Sequence, residues 1–196
     1  MLHRIFIAIN LPESVKKELL AWQEKWPELP IRWATQENLH ITLEFLGGTS
    51  DEELDAICGI VKEVASRHHS FPVELTKIRY GPPKSPPRMI WVEGPPAGEA
   101  GERSQEFISL KKDLESSLAN LENLHFVPED REFSPHITLG RLRQWEFQRM
   151  DSEERPEVEE DISLQFEARS IEVMESKLKR SGAEYSILQS FPFAAL

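Results

Sequence analysis

Hydrophobic and polar positions along this chain follow two periods, one of about two residues and one of about three and a half, and their alternation predicts the elements. Residues 3–9 are short, β-branched and strand-like. Pro12 and Glu13 open a helix whose apolar face is Val15, Leu19, Trp22 and Trp26, ended by Pro27 and Pro30. Residues 31–34 are extended, and residues 39–46 form a strand stopped by Gly47 and Gly48. Ser50 with Glu53 is a capping box for a second helix striped by Leu54, Ile57, Val61 and Val64. Phe71, Val73 and Leu75 alternate in a strand running towards Tyr80. The proline-rich residues 81–87 are predicted to be a surface loop, because proline cannot donate to a central ladder. Residues 89–92 resume a strand, 94–101 form a second loop, and Phe107, Leu110, Leu114, Leu118 and Leu121 mark the longest helix. A strand at 134–142 follows. Residues 163–175 and 184–189 are read as a closing hairpin turning at Ser181 and Gly182.

One tetrapeptide, His-Ile-Thr-Leu, stands in two of these strands, at residues 40–43 and 136–139. Strand side chains alternate faces, so His40 and Thr42 point one way and Ile41 and Leu43 the other, and the same holds for His136, Thr138, Ile137 and Leu139. Each copy is a strand with an aliphatic face for the core and a face presenting an imidazole and a hydroxyl. The whole chain therefore reads as an α+β protein: a single domain over residues 1–196, built as two related antiparallel sheets. Helices cover the outer faces, and the motif faces turn towards each other across a cleft.

By the same counting Glu44 shares the His40 face and is placed at the solvated mouth of the cleft, while Phe45 falls on the buried face. Arg141 would face away from His136 in a regular pleat. It reaches the cleft only if the strand ends or bulges at Gly140. Trp33 and Trp91 flank the motifs as candidate aromatic walls.

Composition narrows the chemistry. The chain of 196 residues carries a formal net charge of -11, which argues against a broad basic surface for coating nucleic acid but leaves room for a phosphorylated ligand in a local pocket. The acidic residues 151–161 lack the alternating ligand spacing of a calcium loop and are read as a solvated connection. The single cysteine, Cys58, lies in a helical stripe and has no intrachain partner, which fits a reducing cytoplasm. No membrane span or signal segment is expected. Each motif offers one imidazole and a neutral hydroxyl, with no cysteine pair nearby and with His68, His69 and His125 in unrelated contexts, too sparse a set for zinc. No metal and no cofactor are expected.

Two imidazoles and two hydroxyls around one space can move two protons about a phosphate. One neutral imidazole takes a proton from water attacking phosphorus, and the other, protonated, gives one to the departing ribose oxygen. Thr42 and Thr138 can hold non-bridging oxygens, with Arg141 adding charge. A binding module for phosphorylated nucleotide or RNA ends, and a structural duplication with buried histidines, are the alternatives.

These motifs resemble the 2H phosphoesterase superfamily, and most closely the RNA 2′,3′-cyclic phosphodiesterases once called 2′-5′ RNA ligases. The resemblance extends over Arg4-Ile5-Phe6-Ile7-Ala8-Ile9, Arg32-Trp33, Asn38-Leu39-His40-Ile41-Thr42-Leu43, Phe45-Leu46-Gly47, Pro87-Arg88, Ile90-Trp91-Val92, Pro135 to Arg141 and Glu175-Ser176. It departs at Glu44, where members often carry a basic residue. The resemblance implies a bilobal fold around a water-filled cleft and a metal-independent hydrolase that opens a terminal 2′,3′-cyclic phosphate on RNA or a nucleotide to a 2′-phosphate. It makes His40 the proton donor, His136 the acceptor, and Thr42, Thr138 and Arg141 the phosphate ligands. It also implies, with the same histidines, reversible 2′-5′ ligation; a cytoplasmic monomer is expected.

Overall fold

The computed structural model describes residues 2–83, 85–94, 103–121, 124, 126–128, 133–180 and 182–195. Nine strands and four α-helices follow in the order β1 (His3–Asn10), α1 (Glu13–Gln23), β2 (Ile31–Trp33), β3 (His40–Thr49), α2 (Asp51–Arg67), β4 (Phe71–Gly81), β5 (Met89–Glu93), α3 (Arg103–Ala119), β6 (His136–Leu142), α4 (Gln144–Arg149), β7 (Glu159–Ala168), β8 (Ser170–Lys179) and β9 (Gly182–Pro192) among the described residues. A 3-10 turn, Gln36–Asn38, precedes β3.

Hydrogen bonding links the strands in the order β7-β4-β5-β6-β3-β1-β8-β9, with β2 added beside β6. The link in the middle is minimal: β3 meets β6 at one antiparallel pair, Ile41 with Ile137. On the same side of β6, β2 pairs with residues 140–142. The order therefore divides into two antiparallel sheets, β7-β4-β5-β6-β2 and β3-β1-β8-β9, which part on either side of that pair. Helix α2 covers β8 and β9, α1 lies against β6 and β7, and α3 packs on α2 and reaches both β3 and β4. The α+β class, the two sheets and the outer helices are as the sequence predicts.

The lobes are not the two halves of the chain. Each sheet takes strands from both, because β7 crosses to β8 through the one residue Arg169. The run predicted as one strand at 163–175 is thus two strands in different sheets. The predicted turn at 181–182 joins β8 to β9, with Ser181 outside the described residues. The loop predicted at 94–101 also lies outside them, apart from Gly94.

Local chemistry accounts for most boundaries. The Ser50 hydroxyl accepts from the Glu53 amide at 3.2 Å and the Glu53 carboxylate accepts from the Ser50 amide at 2.7 Å, so the capping box is complete. Strand β3 does not stop at Gly47 and Gly48. Gly47 adopts φ 74°, a conformation open to glycine, and absorbs an irregularity while pairing continues to Thr49. The acidic stretch at 151–161 is not merely a solvated connection: Glu159, Glu160 and Asp161 pair with β4, and Glu159 accepts from Lys77 at 2.9 Å while Glu160 meets Lys25 at 2.6 Å. Lysines on neighbouring elements offset the repulsion that the sequence alone displays.

Both motif strands carry a bulge at the same motif position. Ala8 pairs with Thr42 and Ile7 with Glu44, leaving Leu43 as the extra residue. Trp91 pairs with Thr138 and Ile90 with Gly140, leaving Leu139 extra. An extra residue reverses the alternation beyond it. Leu43 and Glu44 are consequently both buried and Phe45 is 60% exposed, which corrects both sequence expectations for Glu44 and Phe45. In β6 the same reversal buries Gly140 and exposes Arg141 on the face of His136 and Thr138.

Gly140 sits where any side chain would collide, since a Cβ there would come within 2.7 Å of Ile31 and 2.8 Å of Trp33. Gly140→Ala is expected to lower stability by about 1 to 3 kcal/mol through overpacking, read as a lower urea midpoint at an unchanged denaturant slope.

Candidate active site

Pairing of Ile41 with Ile137 fixes more than the lobe junction. Both side chains are buried, at 1% and 0% exposure, so their neighbours in each strand face the other way. Continuing the antiparallel register sets Thr42 beside His136 and Thr138 beside His40, a near two-fold arrangement about the pair. All four side chains line a cleft of about 1630 Å³ between the lobes, together with Arg141, Trp91, Phe45 and Tyr185. The five residues predicted for the site are thereby brought to one cavity.

The two imidazoles have different surroundings. His136 directs Nδ1 at the Ser134 carbonyl, 2.9 Å away. A carbonyl only accepts, so Nδ1 carries the hydrogen and Nε2 keeps the lone pair in the neutral ring. The ring stacks on Trp91 with centroids 3.7 Å apart and planes inclined by 19°. Trp91 is thus both an aromatic wall and a support that fixes the plane of this histidine.

His40 is enclosed by aromatic rings, with Phe6 at 5.0 Å and Tyr185 edge-on at 5.2 Å. Its Nδ1 is buried and makes no hydrogen bond of good geometry among the described residues. Burial pushes the pKa of His40 down to about 4; the backbone of Asn38 works in the opposite direction, and the positive fields of Arg141, His136 and Lys16 push it lower still. At neutral pH the free protein holds His40 uncharged.

Several contacts that hold the site were not foreseen. Asn38, two residues before His40, donates from Nδ2 to the Ala183 carbonyl at 3.0 Å and accepts through Oδ1 from the Tyr185 amide at 3.2 Å. This clamp sets the start of β9, and with it Tyr185, against His40. Glu93 pairs in register with His136, and its Oε2 receives Arg79 through Nε at 2.7 Å. Glu44, buried in the cleft wall, is joined by Lys111 of α3, whose ammonium also donates to Glu115 at 2.8 Å. Partners so distant in sequence leave no local signal. Trp33 stacks on Trp26 at 6.5 Å and shares the cleft wall. His68 and His69 lie elsewhere, bonded to Asp113 and to the Ala194 carbonyl, and His125 is outside the described residues.

The LigT like Phosphoesterase family matches the sequence twice, over residues 9–91 and 102–185, one motif in each match. The chain belongs to this family. The double match restates the duplication seen in the strands and bears out the 2H phosphoesterase resemblance. Among LigT-like relatives, the chain is 28% identical to an RNA 2′,3′-cyclic phosphodiesterase of Methanocaldococcus jannaschii, over 96% of this chain and 99% of the relative. It is 27% identical to one of Thermus thermophilus, over 96% and 89%. Among solved structures, TT0787 of Thermus thermophilus superposes with a TM-score of 0.78 at 27% identity, covering 97% of each chain. The Escherichia coli LigT complex with 3′-AMP gives 0.70 at 26% identity and covers 100% of both.

An NMR titration should find the His40 imidazole changing protonation at about pH 4, and Arg141→Ala should move that midpoint upward by removing a nearby positive charge. A midpoint near the ordinary ~6.5 would contradict the enclosure described.

Proposed function

We propose that this protein is an RNA 2′,3′-cyclic phosphodiesterase that opens a terminal 2′,3′-cyclic phosphate to a 2′-phosphate. The observation carrying this reading is the pair of His-x-Thr faces related across Ile41 and Ile137, with Arg141 turned onto the same face by the bulge. The names of the relatives point to the same chemistry. With phosphorus between the imidazoles, His136 accepts a proton from the attacking water through Nε2, and His40 donates one to O3′ as the bond between phosphorus and O3′ breaks. Thr42, Thr138 and Arg141 hold the non-bridging oxygens and the charge that develops on them. The assignment of donor and acceptor follows the family resemblance.

His40 is neutral in the free protein, so its proton depends on the substrate. A phosphodiester anion seated beside the ring favours the imidazolium and raises the pKa from about 4. The substrate thus creates the acid that its own leaving group needs. A 5′-hydroxyl attacking in place of water would yield a 2′-5′ linkage with the same two proton transfers. The reaction as proposed uses no metal; among the described residues no group of three or more His, Cys, Asp or Glu side chains gathers to bind one. No described helix is long and apolar enough to cross a membrane, and the proposed setting is a monomer acting on RNA ends in the cytoplasm.

Hydrolysis of adenosine 2′,3′-cyclic monophosphate in excess EDTA should proceed with the wild type and fall by at least about a hundredfold in His40→Ala and in His136→Ala, with unchanged circular dichroism. Mutants as active as wild type, or an inactive wild type, would remove the two-histidine mechanism.

The dependence on pH separates the roles. If His40 is the acid, it governs the descending, alkaline limb, and that limb should lie at higher pH in kcat than in kcat/KM because bound phosphate raises its pKa. An alkaline limb of kcat that lies no higher than that of kcat/KM would remove His40 as an acid made by the substrate.

A further inference from the structure

The chain has 34 acidic residues against 23 lysines and arginines, and some of its arginines are held by carboxylates. Arg67, Arg79, Arg143 and Arg169 each lie within ion-pair distance of one. Two of the other described arginines are neighbours. Arg32 of β2 and Arg141 of β6 are register partners, so both side chains leave the same face of the ladder, and both line the cleft. Both are exposed, and neither has a carboxylate within 4.0 Å among the described residues. Like charges directly opposite on adjacent strands are destabilising, and an anion received by both guanidinium groups relieves that repulsion.

Arg141 lies on the face of the catalytic motif, next to Thr138. Arg32 leads elsewhere. Its guanidinium rests against the bare backbone of Gly182, at the β8–β9 turn of the opposite lobe, where φ is 131° and a Cβ would come 3.1 Å from Nη1. From there the cleft wall runs through Ala183, held by Asn38, to Tyr185, whose ring meets His40. This wall joins the imidazole of His40 to the guanidinium of Arg32 along one side of the cleft.

Resting on the phosphodiesterase reading, we propose that Arg32, seated on Gly182, binds a second phosphate of the substrate, the one on the 5′ side of the terminal ribose. Cross-strand neighbours start with Cβ atoms about 5 Å apart, and two long side chains can widen this to the span of one sugar between consecutive phosphates. The preferred substrate is then an end carrying a 5′-linked phosphate, as in an oligonucleotide or a 5′-phosphorylated nucleotide, over a nucleoside cyclic monophosphate. Binding stops there, since the net charge of -11 offers nothing to a longer polyanion.

The test compares 5′-phosphoadenosine 2′,3′-cyclic phosphate with adenosine 2′,3′-cyclic monophosphate, as the ratio of their kcat/KM values, in wild type, Arg32→Ala and Arg32→Lys. In parallel, calorimetry compares adenosine 2′,5′-bisphosphate with adenosine 2′-monophosphate, which needs no turnover. Wild type should favour the compound with the added 5′-phosphate by about tenfold in both measurements, Arg32→Ala should bring both ratios to about one, and Arg32→Lys should restore part of them. A wild type without the preference, or an Arg32→Ala protein that keeps it because both compounds lose equally, overturns the proposal. If wild type turns over neither cyclic compound, the phosphodiesterase reading fails, while the calorimetric ratios still decide whether Arg32 binds the second phosphate.

Discussion

Ile41 and Ile137 form the pair on which the rest of the molecule depends. Their side chains are buried on one side of the sheet, and that burial obliges the residues before and after them to face the cleft. Because the ladder between β3 and β6 is confined to this pair among the described residues, the two sheets are free to diverge, and the divergence is the cleft. A longer ladder would have closed the space and brought the histidines into an ordinary sheet surface. The matched bulges at Leu43 and Leu139 then reverse the pleat on both strands, which buries Glu44 and Gly140 and turns Phe45 and Arg141 towards the opening. The same backbone device thus supplies an aromatic ring on one side and a guanidinium on the other.

Charge is distributed with the same asymmetry. Glu44 is deprived of water and is matched by Lys111, which Glu115 also holds, so its carboxylate is compatible with burial in the fold. Arg79 and Glu93 neutralise each other beside His136. Arg141 and Arg32, without a carboxylate partner among the described residues, face the cleft as positive charges, and burial and nearby positive fields hold His40 neutral there. The net charge of -11 is thus set against a local concentration of positive charge in the cleft.

Much of this was legible in the chain, for identifiable reasons. The repeated His-Ile-Thr-Leu fixes which residues share a face, since a period of two is a local property of a strand. The capping box at Ser50 and the helical stripes of α2 and α3 are equally local. The α+β class and the five site residues follow from such signals, and the family resemblance adds the chemistry. Local pattern misleads where a neighbour on another strand intervenes. Unbroken alternation puts Glu44 at the mouth of the cleft and Phe45 in the core, but a bulge exists only relative to the strand it is paired with. The acidic run at 159–161 reads as self-repelling until Lys77 and Lys25 are brought beside it.

The sequence by itself determined most of the elements, the duplicated motif and which of its side chains share a face, because each rests on spacing within a few residues. Tertiary structure alone decided that β7 and β8 belong to different sheets, that Asn38 clamps β9 against His40, that Trp91 stacks on His136, and that Arg32 stands beside Arg141. These depend on register and contact between segments as far apart in sequence as Asn38 and Tyr185, set by how the buried faces pack together, and no local pattern encodes them.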